Sequence, residues 1–144
     1  MNKIAILLRL LQFYSHIAHN LSSGETFFQD HEFFGGLYPE YEKAYDSVVE
    51  RMIGLGEKVD LFKIQSQAVE MLSKIKFTNN KQAIQELLKL EKALVSTIDK
   101  FVVPTPMSHP HSTISQGTSQ LAGDLADRSE SRQYMMNQRI APVS

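Results

Sequence analysis

Three of the chain's five histidines and seven of its sixteen acids fall within residues 16–50, HIAHNLSSGETFFQDHEFFGGLYPEYEKAYDSVVE. Those acids, Glu25, Asp30, Glu32, Glu40, Glu42, Asp46 and Glu50, face a single base, Lys43, although the whole chain carries a net charge of only −1. Imidazoles interspersed with carboxylates suit a borderline-to-hard cation such as iron, manganese or zinc. His16 and His19 are three apart and share a helical face, as do Asp46 and Glu50 at a spacing of four. Two carboxylates stacked in this way repel unless something positive lies between them. A bound cation is one candidate, and Arg51 is the other. The plainer alternative is that the acids form a solvated helix face and the histidines are incidental. His19, beside Ala18 in an apolar stripe, is a better ligand candidate than His16. His109 and His111, two apart around Pro110, lie in a loop, where such pairs are usually only exposed.

Helices must position these groups. Residues 3–22 predict a helix from the spacing of Ile4, Leu7, Leu8, Leu11, Tyr14, Ala18 and Leu21, closed by Ser22-Ser23-Gly24. Thr26 or a neighbour can cap a second helix from near Phe27. Tyr38, Tyr41, Tyr45, Val48, Met52 and Leu55 keep its period. Gly35-Gly36 and Pro39 predict a break between Phe34 and Glu40, with the strong helix running from Pro39 to Leu55. A short amphipathic helix follows on Leu61, Ile64, Ala68, Met71, Leu72 and Ile75. Thr78-Asn79-Asn80 is a cap signal. Ile84, Leu87, Leu88, Leu94, Val95, Ile98 and Val102 mark a third long helix, whose lysines Lys81, Lys89, Lys92 and Lys100 form a solvated face. Prolines 104, 106 and 110 require an extended connection over residues 102–113. A fourth long helix spans about residues 118–140, with a thin stripe of Leu121, Leu125, Met135, Met136 and Ile140. Its many polar residues, Ser129 and Arg132 among them, predict weak packing or polar contacts with other subunits. The expected fold is therefore all-α: one domain over residues 1–144, a four-helix bundle with a short helix in the crossover between the second and third long helices.

Composition narrows the function. With no cysteine there is neither a disulfide framework nor a thiolate metal site, which fits a reducing, cytoplasmic setting. The opening MNKIAILLRLLQFY is interrupted by Arg9 and lacks a small-residue cleavage site, so it reads as helix rather than signal peptide. No stretch is apolar for long enough to span a bilayer. A near-neutral charge argues against gripping nucleic acid by bulk electrostatics. No dinucleotide fingerprint, P-loop or nucleophile elbow occurs.

The sequence resembles the Dps mini-ferritins, the ferritin-like iron-storage proteins of bacteria that protect DNA in starved cells. LLQFYSHIAHNLSSGETFFQDHEFF, LYPEYEKAYDSVVERMIGLG and GTSQLAGDLADRSESRQYMM are similar to that family's first, second and last long helices. The intervals from His19 to His31, His31 to Asp46 and Asp46 to Glu50 are twelve, fifteen and four, matching the family's two histidines and two carboxylates. The resemblance implies an iron site between subunits, with His19 and His31 of one chain facing Asp46 and Glu50 of a two-fold mate. It also implies oxidation of Fe(II) to Fe(III) by peroxide or oxygen, storage of the oxide inside a homo-oligomer of twelve subunits, and protection from oxidative damage. Classical ferritins build their site within one bundle using Glu-x-x-His, a motif missing here.

Some positions depart from the pattern. Gly35 stands where the family usually has a further Asp, which predicts weaker iron binding. Asn20 stands where a redox-active Trp commonly follows the first histidine, leaving Tyr14, Tyr38 and Tyr41 as stand-ins. Gln116 and Gln120 replace acids at an iron-entry pore. No lysine-rich tail is present, so direct DNA binding is not expected. The alternatives are a shell or scaffold protein of the same fold with weakened or lost ferroxidase activity and, behind it, a DNA-compacting protein.

Overall fold

The computed structural model describes residues 1–103 and 114–142. Among these are five helices and no strand: α1 (Asn2–Leu21), α2 (Phe27–Gly54), α3 (Leu61–Leu72), α4 (Asn80–Val102) and α5 (Gln116–Ile140). Residues 104–113, with His109, His111 and all three prolines of the expected crossover, lie outside the described residues.

The helices form where the apolar period places them. In α1 the three-and-four spacing buries Ile4, Leu7, Leu8, Leu11, Tyr14 and Ala18. In α4 it buries Ile84, Leu87, Leu88, Leu94 and Ile98, while all four lysines of the expected solvated face are exposed. The Asn79 side chain accepts from the Gln82 backbone N–H and starts α4, as the cap signal predicts. The Asp60 carboxylate does the same for α3 through Lys63. Helix α1 packs along α2, and α4 along α5. The two pairs meet through α1 with α4 and α2 with α5, and α3 lies against α1.

The expected break in the second helix does not occur: α2 runs unbroken from Phe27 to Gly54 with Pro39 inside it. Proline costs about 3 kcal/mol in a helix interior, because it lacks an N–H and crowds the carbonyl one turn back. Here that carbonyl belongs to Gly35, and Pro39 faces solvent, where water can serve the freed acceptor. Burial of Phe34, Leu37, Tyr41 and Tyr45 on both sides of the proline outweighs its local cost. Thr26 occupies the N-cap position, but its hydroxyl donates to Asp30 Oδ2 at 2.6 Å instead of accepting from the helix. Three positions counted in the apolar stripes are more than half exposed in the single chain: Leu21 (62%), Leu55 (54%) and Met135 (51%).

Helix α5 departs furthest from expectation. Its buried seam is Thr118, Ala122, Leu125, Ser129, Arg132 and Met136, so two residues assigned to the polar face belong to the core.

Candidate functional site

The turn between α1 and α2 brings His19 and His31 together. Gly24, at φ +84°, provides a left-handed step that a side chain would disfavour. The last carbonyls of a helix have no partner within it. The orphaned His19 carbonyl takes a hydrogen bond from His31 Nδ1 at 3.0 Å and another from the Ser22 hydroxyl at 2.8 Å. In return, His19 Nδ1 donates to the His31 carbonyl at 2.8 Å. A carbonyl only accepts, so both rings carry a proton on Nδ1, and in the neutral form of each ring it is Nε2 that holds the lone pair. Among the described residues no hydrogen bond engages either Nε2. The rings stack with centroids 3.8 Å apart and planes 24° from parallel. Phe27 stacks on the outer face of the pair, 4.8 Å from His31.

Tyr38 stands 5.6 Å from His19 and stacks on His16 at 4.1 Å. Of the three tyrosines considered as stand-ins for the missing Trp, only this one adjoins the imidazoles. Tyr14 donates to the Ala83 carbonyl at 3.3 Å, and Tyr41 donates to Glu91 in the core. His16 is exposed and stands 6.5 Å from His19, outside the hydrogen-bonded pair.

Asp46 and Glu50 lie on the exposed side of α2. Among the described residues no ion pair joins either of them to Arg51, whose guanidinium is instead within reach of the Gly117 backbone on α5: a Cβ at Gly117 would lie 2.8 Å from Arg51 Nη1. No group of three or more histidines and acids capable of holding a metal comes together within the chain among those residues. The structure thus joins two of the four sequence candidates, His19 and His31, and leaves Asp46 and Glu50 apart from them in the same subunit.

Two polar clusters escaped the sequence reading. The first fills the middle of the long helices, where Glu91 of α4 is completely buried. Arg132 of α5 grips it with two nitrogens, Nε on Oε1 at 2.5 Å and Nη2 on Oε2 at 3.1 Å, and extends Nη1 to Glu40 of α2 at 2.9 Å. The Tyr41 and Ser129 hydroxyls also donate to the Glu91 carboxylate. Burial, then the Glu91 charge, push the Tyr41 phenol well above its ordinary value, so it remains a donor. Burial opposes the charge on Arg132, but the Glu91 hydrogen bonds and charge override it and raise its affinity for the proton. The sequence did carry a signal for this cluster: Glu91 occupies an apolar-stripe position between Leu87 and Leu94, and Leu125, Ser129, Arg132 and Met136 continue a four-three-four spacing.

The second cluster ties down the C-terminal end of α5. Asp30, itself buried, receives Arg139 Nε and Nη2 at 2.9 and 2.8 Å, Asn80 Nδ2 at 3.0 Å and the Thr26 hydroxyl. Burial works against its ionisation, but the hydrogen bonds from Arg139, Thr26 and Asn80, with the Arg139 charge, hold its carboxyl below the ordinary value. The acidic stretch is therefore not a uniform solvated face. Asp30 and Glu40 are structural acids, and Asp46 and Glu50 remain on the surface.

Among the described residues no helix is long and apolar enough to cross a membrane. No curated protein and no solved structure matches the chain. The family model of the ferritin-like domain matches residues 2–103, which include α1 to α4, both members of the imidazole pair and both exposed carboxylates. With most of its length matched by that domain, the chain belongs to the ferritin-like family.

Proposed function

We propose that this protein is a Dps-type mini-ferritin. In this reading it binds Fe(II) between two subunits, passes the electrons to peroxide or oxygen, and stores the ferric product inside a cytoplasmic homo-oligomer of twelve chains. A ferritin-like domain points to iron-related function in general, and members of the family typically form homo-oligomers. In this reading residues 1–144 form one domain, and α1, α2, α4 and α5 form the family's four-helix bundle with α3 in the crossover. The arrangement of helix pairs supports this assignment.

The observation that carries the reading is the state of the two imidazoles. His19 and His31 each have Nδ1 committed to a backbone carbonyl, and so each offers Nε2 as a ligand. An orienting hydrogen bond on the distal nitrogen is the usual support of a metal-binding histidine. The proposed second half of the site is Asp46 and Glu50 of a partner subunit, whose carboxylates favour the ferric product as the imidazoles bind the ferrous substrate. Two Fe(II) ions supply the two electrons that reduce one peroxide, with two protons, to two waters. Among the described residues the two buried carboxylates are already paired, Glu91 with Arg132 and Asp30 with Arg139. Tyr38, beside His19, takes the place of the missing tryptophan as the aromatic that can surrender an electron to stray oxidant.

The test uses mixed assemblies. His19→Ala/His31→Ala chains and Asp46→Asn/Glu50→Gln chains are each expected to lose peroxide-driven Fe(II) oxidation. Dissociated and reassembled together, they form some interfaces with a complete site, so part of the activity returns. If purified wild type oxidises Fe(II) no faster than buffer, the enzymatic reading is lost. A shell or scaffold role is the second reading, favoured by Gly35, which supplies no carboxylate where the Dps pattern has one. Intact assembly with no metal bound under saturating iron would support it.

A further inference from the structure

Gly35 is the point of closest approach between α2 and the ring of His19. A Cβ built at Gly35 would lie 3.0 Å from His19 Cε1 and 3.1 Å from Nδ1, tighter than ordinary van der Waals contact. The ring has little freedom to retreat. It is stacked on His31 at 3.8 Å, bordered by Tyr38 at 5.6 Å, and tied by Nδ1 to the His31 carbonyl at 2.8 Å. That carbonyl lies one helical turn before Gly35, so a donor reaching it must pass over residue 35. The neighbouring Gly36 has nothing within 4 Å of its Cβ position. Two adjacent glycines in one helix therefore differ in kind. Each costs α2 about 0.5–1 kcal/mol relative to alanine, but only Gly35 has a contact that requires the missing side chain.

We propose that Gly35 is a positioning residue for the imidazole pair: the missing side chain lets His19 lie on α2 with its proton fixed at Nδ1 and its lone pair presented at Nε2. The tautomer half of this statement stands on the geometry alone, whereas the metal half rests on the function proposed above. It also reverses the expectation drawn from the sequence. Counting ligands, Gly35→Asp restores a carboxylate and tightens metal binding. Counting space, a side chain at this position crowds the His19 ring, which must shift against its stack on His31 and its hydrogen bond to the His31 carbonyl, and Gly35→Asp weakens binding.

The experiment uses the full chain with labelled histidine and needs two readouts. Ring-nitrogen NMR of the metal-free protein, at a pH above the ordinary imidazole range, reports the tautomer of each histidine. Spectroscopic titration with Co(II) alone reports the affinity of the pair. Wild type is expected to show His19 and His31 in the Nδ1–H form. Gly35→Ala is expected to release His19 from that form and weaken Co(II) binding by about 10–100-fold, the usual effect of losing a hydrogen bond that orients a ligand. Gly35→Asp is expected to bind no better than Gly35→Ala. Gly36→Ala, the control for helix propensity, leaves both readouts at wild-type values. Unchanged tautomer and affinity in Gly35→Ala overturn the proposal, as does tighter binding by Gly35→Asp. Wild-type His19 protonated at Nε2 overturns it without any variant. A tautomer change in Gly35→Ala together with no Co(II) binding by wild type removes the metal function and leaves the positioning role standing.

Discussion

The Glu91 cluster and the His19–His31 pair do opposite things with their polar groups. In the Glu91 centre every strong group is spent internally: both carboxylate oxygens accept, Arg132 reaches two acids, and the Tyr41 and Ser129 hydroxyls complete the shell. In the His19–His31 pair each ring spends one nitrogen on the backbone and keeps the other. A satisfied buried network gives definition to a core and has nothing left for a ligand. A half-satisfied pair at a helix end is where binding is available. Burial and charge alone therefore do not mark out a place for a ligand: the completely buried Glu91 has no acceptor left to offer, whereas the half-satisfied pair does.

Breaking the Glu91 centre should have the largest effect, and on stability alone. Arg132→Ala leaves the Glu91 charge buried without its main partner and is expected to cost about 3–5 kcal/mol in denaturant unfolding. Replacing both partners with apolar groups, Glu91→Leu with Arg132→Met, should recover most of that loss, because no buried charge then remains. If the double variant is as unstable as the single, the cluster does more than neutralise itself.

Breaking the open pair should act on metal and hardly on folding. His31→Ala removes one Nε2 and the donor to the His19 carbonyl. Co(II) affinity is expected to fall by at least about 100-fold, more than the loss of an orienting partner alone, with a change in unfolding free energy below about 1.5 kcal/mol. A large stability loss with unchanged metal affinity would turn the contrast between the two centres upside down.

The Asp30 clamp lies between these cases and is sensitive to acid. Its carboxyl is held below the ordinary value, so its contribution is fully present above the unfolded-state value of about 3.9 and is lost as pH falls through the folded-state value below that. Asp30→Asn should cost about 1–3 kcal/mol at neutral pH, and the gap from wild type should close as the pH drops below about 4. Parallel unfolding curves at neutral and acid pH would deny the clamp its ionic character. The smallest effect is expected at Tyr38. Tyr38→Ala removes the His16 stack, worth about 0.5–1.5 kcal/mol, whereas Tyr38→Phe keeps it. Comparing the two by thermal unfolding separates ring from hydroxyl.

Much of this was legible from residues alone, wherever a local rule and the tertiary packing agree. The stripes of α1 and α4, the Asn79 cap and the lysine face of α4 are set by periods and termini that neighbouring helices only reinforce. Pro39 misled because local cost and tertiary gain have opposite signs, and packing on both sides of the proline won. Ser129 and Arg132 run against expectation because polar residues are commonly exposed, while their spacing places them in the buried seam.

The sequence by itself determined the stripes of α1 and α4, the candidate ligands and their intervals, since residue type and spacing follow directly from the chain. Only the tertiary structure decided which nitrogen of each histidine is free, because that depends on a carbonyl twelve residues away. Only the structure turned Gly35 from a lost ligand into the space that a ring requires, because a close approach between two helices leaves no trace in either helix's own pattern.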